Sequence, residues 1–407
     1  MRIKLILIYF YTSKRFFILY ISDMLKKRFL PVLIVHFLVI IILVIPAIVL
    51  AQEKKRPKPK EWKGEGTKIE FPSMPTMTMK NFLNGVVPER TETIWGTLKF
   101  PTNASDKNVP VVVIMHGGGG IGIWEEHWMN VFNDMGLATF MVDSNWARRN
   151  CKKEFKKTMT RWCQEVHRGL NRIIDGYGAL EVISKHPRID PQRIGCLGIS
   201  LGARGCLYLN VKRFQKMWGT PGLEYAASVP MYPPCNATFK DDDEITDTPI
   251  RIHVGELDTY FPVDSCVNYV ARLKAKGKDV DIKLYPDTHH GFEGKIAGKK
   301  TWKVKGYNDG KCYYEENPSL PVAEMAPDDV AILSQIGFNE WYASATEKDK
   351  KKIFKRVKRR HKMGWRLPQV VFDKSCINNS TTNEYNEASR DEAERLVKEF
   401  FTATLLK

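Results

Sequence analysis

The sequence predicts an α/β fold in which a mostly parallel sheet is flanked by helices. Short apolar runs such as 109–115 recur along the chain, as in strands that are buried on both faces. Segments with apolar residues at helical spacing lie between these runs. The composition of the 407 residues, 43% apolar and 27% charged, excludes a disordered or fibrous protein.

Strands and helices alternate in order along the chain. Consecutive parallel strands need a crossover connection, and the helical segments between the apolar runs supply it. We expect strands at 93–100, 109–115, 137–142, 193–197, 225–229, 250–254 and 280–285. We expect helices at 124–134, at 167–185, from Leu201, at 264–276, at 331–341, at 348–362 and at 388–405.

The amino terminus resembles a secretory signal. Residues 29–51 carry no charge, follow Lys26, Lys27 and Arg28, and end in a small residue, Ala51. Translation from Met24 would give a signal of ordinary length. The run is also long enough for an uncleaved membrane anchor. We therefore interpret residues 1–51 as a signal peptide or anchor, and both interpretations place the folded part outside the cytoplasm, either periplasmic or secreted, or anchored there.

The remaining boundaries follow from composition and charge. A polar linker is expected at 52–68 and one domain at 69–407, interrupted by a basic insertion at about 295–383. The chain has a formal net charge of +17, and residues 350–362 alone include nine Lys and Arg. The insertion is interpreted as a solvated helical cover, a lid, or a surface for an anionic membrane or polymer. Net charge alone predicts no specific nucleic-acid partner.

The eight cysteines are typical of an oxidising compartment, although they allow 105 pairings. Cys196 and Cys206, which flank the nucleophile motif described next, are expected to be buried free thiols. No Cys or His spacing matches a zinc site, so we predict neither a metal nor an organic cofactor.

The motif Gly198-Ile199-Ser200-Leu201-Gly202 lies directly between an apolar strand and a predicted helix. A serine on such a strand-to-helix turn is exposed at the carboxyl edge of the sheet, and the flanking glycines keep side chains away from neighbouring backbone. The sequence therefore predicts Ser200 as a nucleophile.

An acid and a histidine follow the next strands, in the chain order that this motif requires. Asp258 comes after the strand at 250–254, and His290 after the strand at 280–285. We predict His290 as the general base and Asp258 as its acid partner. His289 competes for the role of base, and Asp287 and Glu256 compete for that of the acid.

Two backbone amides are needed to stabilise an oxyanion. One is predicted at Leu201, after the nucleophile, and the other in the loop His116-Gly117-Gly118-Gly119-Gly120, at Gly117 or Gly118. A phosphate-binding loop is the alternative, but no Gly-Lys-Ser/Thr follows.

With these motifs the sequence resembles the dienelactone hydrolase family of α/β-hydrolases. The likeness covers about residues 93–292 and the terminal helix, and rests on the segments 112–120, 142–151, 198–202, 255–258 and 285–292. It implies an α/β-hydrolase fold and selects His290, because the family's histidine precedes a small residue and Phe. Many members carry Cys where this chain has Ser200, which favours a serine esterase over the family's namesake substrate.

The resemblance also implies roles for four further residues. Arg148 or Arg149 would bind a substrate carboxylate, with a loop-bracing ion pair as the alternative. Cys235 and Cys266 would form a disulfide that braces the acid loop.

We therefore predict an extracytoplasmic serine hydrolase that cleaves a carboxylic ester or lactone. The same residues would also serve a peptidase or a thioesterase. A different class of function is a catalytically silent hydrolase-fold protein that binds an anionic envelope polymer through its insertion.

Overall fold

The predicted apolar runs form strands in the computed structural model of the chain. The structure describes residues 61–74, 82–89, 91–148, 170–261, 263–295, 300–302, 314–315, 346–348, 351 and 381–407, with only the backbone at 300–302 and 314–315. The predicted signal or anchor, the linker up to residue 60, Arg149, the helices at 331–341 and most of 348–362 lie outside these ranges.

The described strands and helices follow the predicted alternation. The strands are β1 (Thr67–Ser73), β2 (Glu92–Lys99), β3 (Val109–Met115), β4 (Ala138–Asp143), β5 (Ile189–Ile199), β6 (Ala227–Met231), β7 (Ala237–Thr238), β8 (Ile250–Gly255), β9 (Val280–Tyr285), β10 (Lys300–Trp302), β11 (Tyr314–Glu315) and β12 (Thr381–Asn383). The helices are α1 (Ile123–Asp134), α2 (Leu170–Ser184), α3 (Leu201–Tyr208), α4 (Lys212–Trp218), α5 (Val263–Ala275) and α6 (Glu387–Leu405).

Eight strands make the central sheet, in the order β1-β2-β4-β3-β5-β6-β8-β9. The strands from β4 to β9 in this order are parallel, whereas β1 and β2 run antiparallel at one edge. All six parallel strands therefore end at the same edge of the sheet, where the loops that carry the predicted site residues begin.

The core consists of two layers, one on each face of the sheet. Strand β3 illustrates the alternation, because Val111 and Val113 face one layer and Val112 and Ile114 face the other. Helices α2 to α5 contribute to the first layer, and α1 and α6 cover the second. The mostly parallel α/β architecture predicted from the sequence is confirmed.

Four of the elements differ from the expectations. Strand β1 begins at Thr67, inside the predicted linker, because its alternating residues pair along the whole of β2. Helix α4 was not predicted, since its seven residues are too few for a clear helical period. Strands β10 and β12, at the two ends of the insertion, pair with each other in an antiparallel manner.

The structure contains two disulfides among the described cysteines. Cys235 pairs with Cys266, and Cys196 pairs with Cys206. The expectation of free thiols at Cys196 and Cys206 was therefore wrong. The turn that reverses the chain between β5 and α3 brings their Cα atoms within 5.8 Å, which is disulfide distance. Such bonds are typical of an oxidising compartment.

No helix within the described ranges combines the length and apolar character needed to cross a membrane.

Candidate active site

Ser200 lies on a sharp turn between β5 and α3. Its backbone has φ +54° and ψ −109°, a left-handed conformation that costs energy for a residue other than glycine. A Cβ at Gly198 would collide with the backbone of Gly202, and one at Gly202 with the carbonyl of Met115. The two glycines of the motif therefore let β3, β5 and α3 approach closely enough to expose the serine hydroxyl.

The three side chains predicted as nucleophile, base and acid meet above this turn. His290 Nε2 lies 2.9 Å from Ser200 Oγ, and His290 Nδ1 lies 2.7 Å from Asp258 Oδ2. The histidine is 3% exposed and Asp258 is 6% exposed. With the proton on Nδ1 donated to the carboxylate, Nε2 is left to accept the proton of the serine hydroxyl.

The competing residues point elsewhere. His289 Nδ1 contacts the carbonyl of Leu257 at 2.8 Å, and its Nε2 lies 3.5 Å from Glu384. Glu256 and Asp287 are exposed. The geometry therefore leaves His290 and Asp258 as the residues positioned to act with the serine.

Aromatic rings and backbone amides hold the imidazole and its acid partner. The ring of Tyr260 stacks on His290 at 4.2 Å between centroids, and the ring of Tyr232 contacts it at 4.3 Å. Asp258 Oδ1 accepts the backbone N–H groups of Tyr260 and Phe261 at 2.7 and 3.3 Å. These contacts fix the plane of the imidazole and the orientation of the carboxylate.

The chain that returns from the insertion also supports these loops. Asn383, in β12, donates from Nδ2 to the carbonyl of His290 at 3.0 Å and accepts the hydroxyl of Tyr260 at 2.7 Å. The backbone N–H of Thr382 donates to Thr259 Oγ1 at 2.8 Å. Residues beyond the insertion therefore connect the acid loop to the histidine loop.

The two predicted oxyanion donors in the glycine loop differ in their contacts. The N–H of Gly117 donates to the buried carboxylate oxygen Glu125 Oε1 at 3.0 Å. The prediction of Gly117 as an oxyanion donor was therefore wrong, because its N–H already has an acceptor. The N–H groups of Gly118 and Leu201 have no hydrogen-bond partner among the described residues. The carbonyl of Gly118, in contrast, accepts Asn145 Nδ2 at 3.3 Å. Gly118 and Leu201 remain the pair of candidate donors.

Two glutamates are buried beside the site. Burial raises the pKa of Glu125 to about 7, although backbone N–H groups and Arg172 act in the opposite direction. Burial likewise raises the pKa of Glu293 to about 7, and its Oε1 accepts the hydroxyl of Tyr232 at 2.5 Å. Both carboxyl groups therefore change charge near neutral pH.

Arg148, for which a substrate contact and a bracing ion pair were both predicted, has structural contacts. It is 7% exposed, and its two Nη atoms donate to both carboxylate oxygens of Asp175 at 2.7 to 2.8 Å. The same guanidinium donates to the carbonyl of Ser144 and to Ser73 Oγ. Of the two roles predicted for Arg148, the bracing ion pair is the one observed, because these buried acceptors occupy all of its Nη donors.

The disulfide between Cys235 and Cys266 joins the loop after β6 to α5, with the Cα atoms 4.9 Å apart. Because α5 begins directly after the loop that carries Asp258, the bond braces that loop. Among the described residues, no group of three or more His, Cys, Asp and Glu side chains is arranged to hold a metal ion.

The sheet order, the sharp turn that carries Ser200 and the arrangement of the site together define an α/β-hydrolase of the serine type. The dienelactone hydrolase family model matches residues 94–310, more than half of the chain. The chain belongs to the dienelactone hydrolase family.

The chain is similar to solved structures of hydrolases at low sequence identity. The esterase of the planctomycete Thermogutta terrifontis, solved with propionate bound, is 14% identical, with a TM-score of 0.37 over 49% of this chain and 80% of the esterase. A dienelactone hydrolase-like promiscuous phosphotriesterase from metagenomic libraries is 15% identical, with a TM-score of 0.42 over 58% of this chain and 87% of the phosphotriesterase. No curated protein matches the chain.

Glu125, Glu293 and Asn383 were not predicted from the sequence. A signal for Glu125 exists, because it precedes Trp128 and Phe132 by three and seven residues and so lies on the apolar stripe of α1. A charged residue on a buried stripe indicates a specific hydrogen-bonding role. Nothing comparable marks Asn383, whose partners are more than 90 residues away in the chain.

Proposed function

We propose that the protein is an extracytoplasmic hydrolase that cleaves a carboxylic ester or lactone through an acyl-enzyme. The observation that carries the proposal is the continuous hydrogen-bonded series from Ser200 Oγ through the imidazole of His290 to Asp258. A serine hydroxyl is a weak nucleophile until an adjacent base takes its proton, and this arrangement supplies the base and orients it.

In the first half of the reaction, Ser200 Oγ attacks the acyl carbonyl carbon while its proton passes to His290 Nε2. The negative charge that develops on the carbonyl oxygen is stabilised by the N–H groups of Leu201 and Gly118. His290 then returns the proton to the leaving alcohol oxygen, and the carbon–oxygen bond breaks.

In the second half, a water molecule gives a proton to His290 and attacks the acyl-enzyme. Collapse of the second tetrahedral intermediate releases the carboxylic acid and restores the serine hydroxyl. Asp258 keeps the imidazole in the required tautomer and stabilises its charged form throughout. In a lactone the leaving alcohol stays attached to the acyl group, so the product is a hydroxy acid.

A location outside the cytoplasm is part of the proposal. It is supported by the two disulfides and by the uncharged amino-terminal run at 29–51. Contact of the basic insertion with an anionic membrane or polymer is proposed on its charge alone.

Covalent labelling of the full chain with a fluorophosphonate probe, followed by mass spectrometry of the modified peptide, tests the proposal. We expect labelling on Ser200 that disappears in Ser200→Ala and falls at least 1000-fold in rate in His290→Ala. His289→Ala is the matched control, because the neighbouring histidine contacts neither Ser200 nor Asp258, and it should label normally. Folded wild-type protein that resists the probe would contradict the proposal and favour the silent polymer-binding alternative.

Substrate class is tested next with ester, lactone, thioester and peptide panels. We expect saturable turnover of esters or lactones that is abolished by Ser200→Ala. Faster turnover of the thioesters or peptides would contradict the proposed substrate class and identify the protein as a thioesterase or a peptidase.

A further inference from the structure

The glycine loop at residues 117–122 passes directly beside the nucleophile. A Cβ built on Gly117 would lie 3.6 Å from Ser200 Cβ and 3.5 Å from the carbonyl oxygen of Ile199. The loop therefore has to be held in one position if Gly118 is to offer its N–H to a bound acyl group. Its glycines provide little intrinsic rigidity.

Glu125 holds this loop at both ends. Its Oε1 accepts the N–H of Gly117 at 3.0 Å, and its Oε2 accepts the N–H of Gly122 at 2.8 Å. The side chain is 1% exposed, so water does not compete for these bonds. Two N–H donors on two oxygens match an ionised carboxylate, which only accepts, whereas a protonated carboxyl group has one oxygen committed as a donor.

We propose that ionised Glu125 is a positioning residue, whose carboxylate holds the loop at 117–122 so that the N–H of Gly118 faces the acyl oxygen. The inference rests on the proposed function and adds a regulatory property to the same site. Protonation of Glu125 would loosen the loop and weaken oxyanion stabilisation, so that the rate responds to pH through the loop as well as through the base.

The charged and titratable groups that face Glu125 come from several elements. Arg172 on α2 favours its ionised form, and burial opposes it, with a pKa of about 7 as the result. Glu293, after the histidine loop, and Glu125 oppose each other's ionisation, and Tyr232 at the end of β6 donates its hydroxyl to Glu293. His116, which precedes the loop, is kept neutral by burial and by Arg172, which lower its pKa.

Glu125 also caps α1, and a purely structural role must be separated from positioning. Gly122 is the N-cap residue of α1 and Glu125 its third helical residue, a position where Gln caps as well as Glu. In Glu125→Gln the single amide oxygen can still accept from one of the two N–H groups, but the NH2 group then faces the other, so that two donors meet with no acceptor. This variant therefore keeps the size of the side chain and one of the two hydrogen bonds, but it no longer holds the loop at both ends.

The test compares wild type, Glu125→Gln and Glu126→Gln at pH 8 and pH 5 with an ester that the wild type hydrolyses. We expect kcat of Glu125→Gln to be about 100-fold below wild type at pH 8, because small misplacements of catalytic groups cost about that factor, with little change in KM. At pH 5 the difference should shrink towards a few fold, since the wild-type carboxyl is then protonated too. The control Glu126→Gln changes a carboxylate that bonds Trp62 instead of the loop and should match wild type at both pH values.

Hydrogen–deuterium exchange of the peptide spanning 116–122 provides a second readout that needs no activity. Exchange should be faster in Glu125→Gln than in wild type at pH 8 after correction for intrinsic rates. Equal exchange, or equal kcat at pH 8 in an active enzyme, would overturn the inference. An inactive wild type with a loop that loosens in Glu125→Gln would instead refute the proposed function alone.

Discussion

The two faces of the sheet each bury a carboxylate, and the two behave differently. On the face covered by α2, burial by itself would raise the pKa of Asp175, but the charge and hydrogen bonds of Arg148 outweigh it and lower the pKa. On the face covered by α1, Glu125 is hydrogen-bonded by backbone N–H groups, and burial prevails and raises its pKa to about 7.

The difference shows that a buried carboxylate can either stabilise the fold or make the position of a loop depend on pH, according to its partners. A carboxylate bonded through both oxygens to a guanidinium keeps one charge state across the physiological range, so it can connect β1, β4 and α2 permanently. A carboxylate bonded to neutral amides keeps a proton equilibrium near neutral pH, so its effect on nearby loops changes with conditions.

The largest effect on stability is expected from breaking the buried ion pair between Arg148 and Asp175. Arg148→Met leaves Asp175 buried without its cation, and the free energy of unfolding should fall by about 3 to 5 kcal/mol in urea titrations at pH 7. Arg395→Met is the control, since it breaks an exposed pair with Glu399 and should cost less than about 1 kcal/mol. A loss of similar size in both variants would mean that the buried ion pair contributes no more to stability than the exposed one.

On the face covered by α1, Glu293 should show its effect as a dependence of stability on pH. The folded-state pKa of Glu293 is about 7 against an ordinary value of 4.5, so the folded protein holds this proton more tightly. Its contribution to stability is complete below pH 4.5 and is lost as the pH rises through 7. Glu293→Gln removes this loss and can still accept the hydroxyl of Tyr232.

Relative to wild type, Glu293→Gln should therefore gain about 3 kcal/mol between pH 5 and pH 8, measured by urea unfolding at both values. Glu399→Gln, an exposed glutamate on α6, serves as the control and should show no such gain. A constant difference between Glu293→Gln and wild type across this range would contradict the assignment of a raised pKa.

The smallest effect is expected in the loops beside His290, away from the buried carboxylates of both faces. Tyr260→Phe keeps the ring that stacks on His290 and removes only the hydroxyl that donates to Asn383. We expect a loss of about 1 kcal/mol of stability and a few-fold reduction in kcat. Tyr385→Phe is the control, because that hydroxyl has no hydrogen-bond partner among the described residues. A kcat loss above tenfold would place Asn383 and Tyr260 among the positioning residues.

The sequence predicted those parts of the site that depend on local chain geometry. Ser200 is marked by its glycines and by the strand and helix on either side, and the positions of Asp258 and His290 follow from the strands that precede them. The oxyanion role of Gly117 was predicted wrongly, and the role of Arg148 was left open between two alternatives, because each residue has its partner on another element. The expectation of free thiols at Cys196 and Cys206 was also wrong, because the turn between β5 and α3 brings their Cα atoms within 5.8 Å.

The sequence by itself determined that the fold is a mostly parallel sheet flanked by helices, and which reactive side chains lie at its carboxyl edge. Both follow from the apolar periodicity and the turn glycines of short segments. The tertiary structure decided which amide faces the nucleophile, which arginine is buried and which carboxylates titrate near neutral pH. These properties depend on desolvation and on partners from distant segments, such as Asp175 for Arg148 and Tyr232 for Glu293. Only folding brings those partners together.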